Sequence, residues 1–156
     1  MLLRAIRPAI SPCAVTLLRR ADVPHPERAI ARGELVRVRP GVFTPTVTWT
    51  ALRPWERYLV RVHAVALTHP DAVFCHESAA ALLGMPVIGD PVTVHVLVPA
   101  SHAARESGGI RTHRVTTMPD LIIDGGLIVT TPASRGIETT RSGWLRPMRP
   151  SGATRR

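Results

Sequence analysis

The chain lacks lysine altogether, although it carries 20 basic residues among its 156. All of them are arginine, which indicates GC-rich codon usage first and selection for guanidinium chemistry only second. Arginine nevertheless binds phosphate and guanine bidentately, which lysine does not do. Any cationic surface of this protein is therefore a guanidinium surface.

Aromatic residues are also scarce, at 4% of the chain, so Val, Leu, Ile and Ala must fill the core. The apolar fraction of 45% is normal for a globular protein and excludes wholesale disorder. Fifteen Pro and 11 Gly predict many short elements rather than a few long helices. The length allows one ordinary domain or two very small ones.

The two cysteines, Cys13 and Cys75, lie far apart and form no metal-ligand pair. Long apolar runs are missing too, which excludes a membrane span. The N-terminus has no secretory character because Arg4, Arg7 and Pro8 interrupt it. We therefore expect a cytoplasmic protein with reduced thiols and no membrane partner.

The net charge of +9 is spread unevenly. Residues 1–43 hold eight Arg against three acids, residues 44–132 hold six against seven, and residues 133–156 hold six against one. A neutral middle with two basic ends favours a polyanionic partner, nucleic acid before membrane. The alternative is that the arginines reflect solubility and codon usage.

In the first basic region the sequence predicts a loose arm over 1–13 and a short helix in "CAVTLLRRADV". It further predicts a second helix at about 26–32 and the hairpin "ELVRVRPGVF". A short helix followed directly by a basic hairpin is the minimal plan of a winged helix-turn-helix. The winged helix-turn-helix interpretation predicts DNA contacts from Arg28, Arg32, Arg37 and Arg39. The alternative is an ordinary helix-hairpin unit with solvated arginines.

The middle of the chain predicts a small α/β module over 46–132 with two helices and about four strands. The longest helix carries an apolar stripe of Trp55, Leu59, Val62 and Ala66, with Arg57 and Arg61 on a solvated face. A short helix follows at 76–83. Strands are predicted in "AVF", "PVTVHVLVP", "GIRTHRV" and "LIIDGGLIVT", the last folded at Asp124-Gly125.

The fold class is therefore α+β, with a DNA-binding segment over 1–45, the α/β module over 46–132, and a disordered basic tail over 133–156. The tail has few apolar residues and no periodicity, which is typical of disorder.

The stretch "FCHESAAALLGMP" puts Cys75 beside His76, Glu77 and Ser78, which are ingredients of a thiol nucleophile. Side chains adjacent in sequence diverge on strands and helices, so a base would have to come from elsewhere in the fold. The simpler interpretation is a helix start, with Cys75 in the N-cap region and Glu77 and Ser78 in the first turn.

His76, His95 and His113 fall on three predicted elements of the middle module, where they would converge on a metal if those elements packed together. Their spacing matches no standard zinc motif, and single histidines in strands are usually hydrogen-bonded structural groups. We therefore expect no metal and no cofactor. Asp90, Asp120 and Asp124 look like turn residues, and no phosphate-binding loop or nucleophile elbow occurs, so we expect no enzyme.

The ordered set "ARGELVRVRPGVF", "RPWERYLVRVHAVALTHPDAVFCHESAAALLGMPV", "VHVLVP", "GIRTHR" and "DGGLIVTTPA" resembles the AbiEi-type antitoxin family of actinobacteria over about residues 20–133. In that family a "GxLxRxxRGVY" wing precedes "SHxSAAxLxGxP", "VHV", "GVxxHR" and "TxPARTxxDLA". The positions that match the family motifs include His76, Glu77, Ser78, His95 and His113. Phe43, Pro40 and Cys75 stand where the family usually has Tyr, Arg and Ser.

The resemblance implies a DNA-binding antitoxin or transcriptional regulator of a type IV toxin–antitoxin system, acting on its own promoter. Its partner would be a nucleotidyltransferase-like toxin or a second copy of itself. Many relatives continue into a domain similar to very-short-patch-repair endonucleases. After Ala133 the family pattern stops, so we expect a truncated chain, and the alternative is a fragment of such an endonuclease-like protein without its catalytic domain.

Overall fold

A computed structural model of the protein describes residues 9–132 and confirms the α+β class. Its first unit is a three-stranded antiparallel sheet with strand order β1-β3-β2, formed by β1 (Leu18–Arg19), β2 (Leu35–Arg39) and β3 (Val42–Pro45). Helix α1 (Pro26–Ala31) starts at a proline, whose fixed φ suits a first turn. The predicted helix and the predicted hairpin after it are both present.

The short helix predicted within "CAVTLLRRADV" is wrong. Leu18 and Arg19 pair with the edge of β3, and only Arg20–Asp22 form a single 310 turn. Pairing with β3 holds Leu18 and Arg19 in the sheet, and the Thr44 hydroxyl donates a 3.0 Å hydrogen bond to the Thr16 carbonyl. Because the described residues before the hairpin contain one 310 turn and one α-helix, a full helix-turn-helix is not confirmed.

The prediction of a loose N-terminal arm is also wrong for the part of the arm within the described range. The Ser11 N–H donates to the Leu82 carbonyl at 2.7 Å, and the Ser11 carbonyl lies 2.9 Å from Nε2 of His63. Ile10 packs against the main core. The start of the described chain is thus tied to helices of the middle module.

Residues 46–132 contain three helices and a mixed six-stranded sheet, rather than two helices and about four strands. The helices are α2 (Thr46–Ala51), α3 (Pro54–Thr68) and α4 (His76–Leu82). The strands are β4 (Val73–Phe74), β5 (Val94–Pro99), β6 (Glu106–Ser107), β7 (Ile110–Val115), β8 (Leu121–Asp124) and β9 (Leu127–Thr130). Their order is β6-β7-β5-β4-β9-β8, with β5 parallel to β7, β4 parallel to β9, and the other pairs antiparallel.

The two missed elements are short and lack sequence periodicity. In α2 the segment "TVTWTA" is rich in β-branched residues, which favour strands, yet it forms a helix packed against β2 and β3. In β6 only two residues pair with β7. The predicted hairpin at Asp124-Gly125, in contrast, is confirmed, because its turn signal is strong.

Helices α3 and α4 cover one face of the six-stranded sheet and enclose the main core. This core is apolar and is built around Tyr58, Val62, Val65, Phe74, Leu82, Val94, Val96 and Val129. The predicted stripe on α3 is wrong at Trp55, which is 49% exposed because it lies in the first turn, where the Arg53 guanidinium sits 5.2 Å from its ring. Val62 is buried as predicted, and Leu59 and Ala66 are partly buried.

None of the helices over residues 9–132 has the length and apolar character that a membrane crossing requires. The predicted disorder of 133–156 lies outside the described residues. The predicted boundary between residues 45 and 46 stays a prediction.

Candidate functional site

The three histidines singled out from the sequence come together on the six-stranded sheet. His95 lies on β5 and His113 on the parallel neighbour β7, where His95 pairs with Arg111 and Leu97 pairs with His113. Since successive side chains alternate between the faces of a strand, His95 and His113 share one face. Nδ1 of His95 lies 2.8 Å from Nε2 of His113, which is a hydrogen bond.

His76 joins them from the start of α4. The strand before it, β4, is the other neighbour of β5, and the Cys75 N–H donates to the His95 carbonyl at 3.1 Å. The ring of His76 has its centroid 4.3 Å from that of His113 and 5.7 Å from that of His95. The topology of three adjacent strands thus gathers residues that lie far apart in the sequence.

Cys75 completes the group. Its sulfur, one ring nitrogen of His76 and one of His113 all lie within 4.8 Å of one another. Glu77 lies at the rim, with a carboxylate oxygen 3.5 Å from Nε2 of His95. We call Cys75, His76, Glu77, His95 and His113 the histidine–thiol cluster.

Burial keeps the imidazoles of this cluster neutral near pH 7. Loss of hydration lowers the pKa of His76, His95 and His113, that of His113 to about 4, because the charged form is poorly solvated. For His113 the neighbouring imidazoles and Arg111 lower the pKa further, and Glu77 opposes them. Neutral imidazoles retain a lone pair, which is what a metal ligand needs.

The thiol of Cys75 is poorly suited to act as a nucleophile. Burial raises its pKa well above its ordinary value, and the nearby Glu77 carboxylate acts in the same direction, so thiolate is scarce at neutral pH. The predicted helix start is confirmed, since Cys75 is the N-cap of α4 with extended backbone, but its side chain makes no capping hydrogen bond.

His76 has two unusual features. Its backbone is left-handed, with φ of 51°, which costs a non-glycine residue conformational energy of about 1–3 kcal/mol. Its Nε2 is shielded from solvent and has no hydrogen-bond partner among the described residues. A strained backbone therefore holds an unsatisfied nitrogen inside the cluster.

The buried hydroxyl groups of Tyr58 and Ser78 form a hydrogen-bonded pair next to the cluster. No signal in the sequence predicted this pair. The Ser78 Oγ accepts the His95 N–H at 2.8 Å and lies 2.9 Å from the Tyr58 Oη, which donates to the Thr93 carbonyl at 3.1 Å. Tyr58 and Ser78 are fully buried, and burial raises the pKa of Tyr58. These bonds join α3, α4 and β5, so they fix the strand that presents His95.

The four predicted DNA-contacting arginines differ in their surroundings. Arg32 is held by Glu34 through bonds of 2.6 and 3.0 Å. Arg39 is half-buried, and its Nε is shielded without a hydrogen bond in the described chain. Arg28 on α1 and Arg37 on β2 are exposed and form no ion pair with residues 9–132. The structure thus brings two exposed guanidinium groups onto neighbouring elements.

The expected solvated face of α3 is instead half-buried against Trp49 of α2. The guanidinium carbons of Arg57 and Arg61 lie 5.8 and 5.4 Å from the centre of its ring. Arg61 also reaches Asp90 at 3.3 Å. Cation–π packing between two helices explains the difference, and Trp49 was missed because α2 was missed.

Comparisons of the chain with models of protein families, with curated proteins and with solved structures each give no match. The resemblance to AbiEi-type antitoxins therefore stays a prediction.

Proposed function

We propose that the protein is a DNA-binding regulator of the antitoxin type, which acts in the cytoplasm and binds DNA through α1 and the β2–β3 hairpin in a winged-helix-like manner. The observation that carries this proposal is the pairing of exposed arginines on α1 and β2. Arg28 and Arg37 lie on consecutive elements that pack against each other. The pKa of Glu27 in the first turn of α1 is lowered mainly by its hydrogen bond from Arg20, and the charge of Arg37 adds to this, so Arg37 acts electrostatically on α1.

The three-stranded sheet holds the hairpin that carries Arg37 in a fixed position. Val42, Phe43 and Thr44 of β3 are fully buried, so the hairpin is anchored in the protein rather than free in solution. An anchored hairpin loses little conformational entropy on binding a backbone, and guanidinium groups bind phosphate bidentately. Arg32 must leave Glu34 before it contacts DNA, so Arg28 and Arg37 are the first contacts in this proposal.

The test is a gel-shift titration with a duplex from the region upstream of the protein's own reading frame, using Arg28→Ala/Arg37→Ala. We expect weaker binding and a salt dependence flattened by about 0.9 in slope for each phosphate that is no longer neutralised. The matched control is Arg105→Ala/Arg114→Ala, which removes the same charge from two exposed positions, one in the loop before β6 and one on β7.

Equal losses of DNA affinity in the two double variants would overturn the assignment, because DNA binding would then depend on net charge and not on this surface. An unchanged affinity in Arg28→Ala/Arg37→Ala would overturn it as well. Circular dichroism of both variants checks that the fold is retained.

A further inference from the structure

We propose that Cys75, His76 and His113 bind one Zn²⁺ ion, and that His95 orients His113 for this role. This site is separate from the arginine surface and does not depend on DNA binding.

The donor set is the first argument. One cysteine thiolate and two neutral imidazoles are common zinc ligands, and Cys75 would release its thiol proton to solvent as the metal binds. The three donor atoms already lie within 4.8 Å of one another. Ligand atoms around a tetrahedral zinc ion stand roughly 3.3–3.7 Å apart, given metal–nitrogen and metal–sulfur bonds of about 2.0 and 2.3 Å. Each donor–donor distance must therefore shorten by at most about 1.5 Å, and rotation of the two side chains involved supplies this.

The second argument is the unsatisfied nitrogen of His76. Buried polar groups nearly always have partners, and leaving one without a partner costs folding free energy. Among the described residues, the shielded Nε2 of His76 has no partner, and the centroid of its ring lies 4.3 Å from that of His113. A metal ion bound to Nε2 of His76 would satisfy this nitrogen.

The third argument is the hydrogen-bond chain behind His113. The Glu77 carboxylate oxygen 3.5 Å from Nε2 of His95 favours a proton on that nitrogen, because a carboxylate only accepts. Nδ1 of a neutral His95 then carries a lone pair and accepts the Nε2–H of His113 at 2.8 Å. His113 is left with a lone pair on Nδ1. A histidine ligand held through its other nitrogen is the usual supporting arrangement in zinc sites.

The chemistry favours zinc over hard cations. A sulfur ligand with imidazoles suits zinc, whereas magnesium and calcium prefer oxygen ligands. Three protein ligands leave a fourth position on a tetrahedral zinc ion, which a water molecule would fill.

The experiment is a zinc titration of the full-length protein, first stripped with a chelator and then measured in competition with a chromophoric chelator. We expect one zinc per chain, with affinity weakened at least 100-fold in His113→Gln. The matched control is His102→Gln, an exposed loop histidine, which is expected to leave the affinity unchanged. For His95→Gln we expect a loss of about 10- to 100-fold, as for other supporting residues of metal sites.

Cobalt substitution identifies the sulfur ligand independently of protein stability. The wild-type protein should show a thiolate-to-cobalt charge-transfer band with the intensity of tetrahedral coordination. The band should persist in Cys13→Ser, which removes the other thiol in the chain, and disappear in Cys75→Ser. If Cys75→Ser does not fold, the band of Cys13→Ser alone identifies Cys75.

Less than one zinc per chain, equal affinities in His113→Gln and His102→Gln, or a cobalt spectrum without a thiolate band would each overturn the proposal. Because no DNA is present, failure here leaves the DNA-binding proposal standing, and the reverse also holds.

Discussion

Around the three-stranded sheet the characteristic residues are arginines exposed to solvent, whereas on the six-stranded sheet they are clustered histidines that are buried or half-buried. Arg28 and Arg37 are exposed, while His95 is buried with 8% of its surface exposed. Exposed charges suit a partner that arrives from solution, because they keep their hydration until it binds. Buried neutral imidazoles suit a ligand held within the protein, because desolvation keeps their lone pairs free.

The two sheets are nevertheless physically connected. Helix α3 packs against β2, and Ser11 is hydrogen-bonded to Leu82 and near His63. We therefore expect one cooperative unfolding transition for the part of the chain from residue 9 to residue 132.

The largest loss of unfolding free energy is expected from removing a buried phenylalanine ring from either sheet. Phe74→Ala and Phe43→Ala remove rings that are each 1% exposed, one from each sheet, and should lower the free energy of unfolding by about 3–5 kcal/mol. Denaturant titration measures this loss, and Ile123→Ala, at a 68% exposed position, is the control with a change within about 0.5 kcal/mol. A separate early transition in Phe43→Ala alone would show that the first sheet unfolds independently, as a boundary at residues 45 and 46 would imply.

A smaller loss is expected from the hydroxyl pair behind the histidines. Ser78→Ala removes the acceptor of the His95 N–H and leaves a buried donor unsatisfied, which should cost about 1–3 kcal/mol in unfolding free energy. A double-mutant cycle with Tyr58→Phe should show coupling, because the two hydroxyls lie 2.9 Å apart. Additive losses would contradict a shared network, and Ser101→Ala on the exposed loop serves as control.

Acid should destabilise the metal-free protein through the histidines. The pKa of His113 falls from the usual 6.5 to about 4 on folding, so the unfolded chain binds this proton more readily. The stability that His113 contributes is therefore complete above about pH 6.5 and is lost as the pH falls toward about 4. Because His113 is only half-buried, solvent screening reduces the loss to about 1–2 kcal/mol.

Chemical denaturation across this pH range with a chelator present measures the effect. His113→Gln should flatten the profile, whereas His102→Gln should leave it unchanged. A profile equally steep in His113→Gln would contradict the assignment.

How much the sequence predicted also differs between the two sheets. The helix and hairpin that carry Arg28 and Arg37 are local features, set by Pro26, Gly33 and the Pro-Gly turn, and their predicted positions lie close to the observed ones. The first strand was missed because its pairing with β3 is a contact between distant segments, which periodicity does not encode.

The residues of the histidine–thiol cluster could be named from the sequence, and so could the requirement that their three elements pack together. Whether those elements do pack together could not be predicted. Its formation depends on β5 running parallel to β7 and beside β4, and a linear sequence contains no register between strands. The role of the Tyr58 hydroxyl could not be predicted either, because the sequence of a helix does not show whether a tyrosine oxygen has a hydrogen-bond partner in a distant segment.

The smallest effect is expected from the exposed ion pair beside the arginine surface. In the pair of Arg20 and Glu27 both side chains are more than half exposed, at 64% and 56%, so solvent screens their attraction. Glu27→Gln should leave the melting temperature unchanged, yet it removes a negative charge near Arg37 and should raise DNA affinity roughly two- to threefold at low salt. The gain should vanish at high salt, because screening then hides a single exposed charge, and Glu106→Gln on the other sheet should give none. Weaker DNA binding in Glu27→Gln would instead mean that the carboxylate positions the arginines, and the first sheet would then resemble the second in depending on fixed internal contacts.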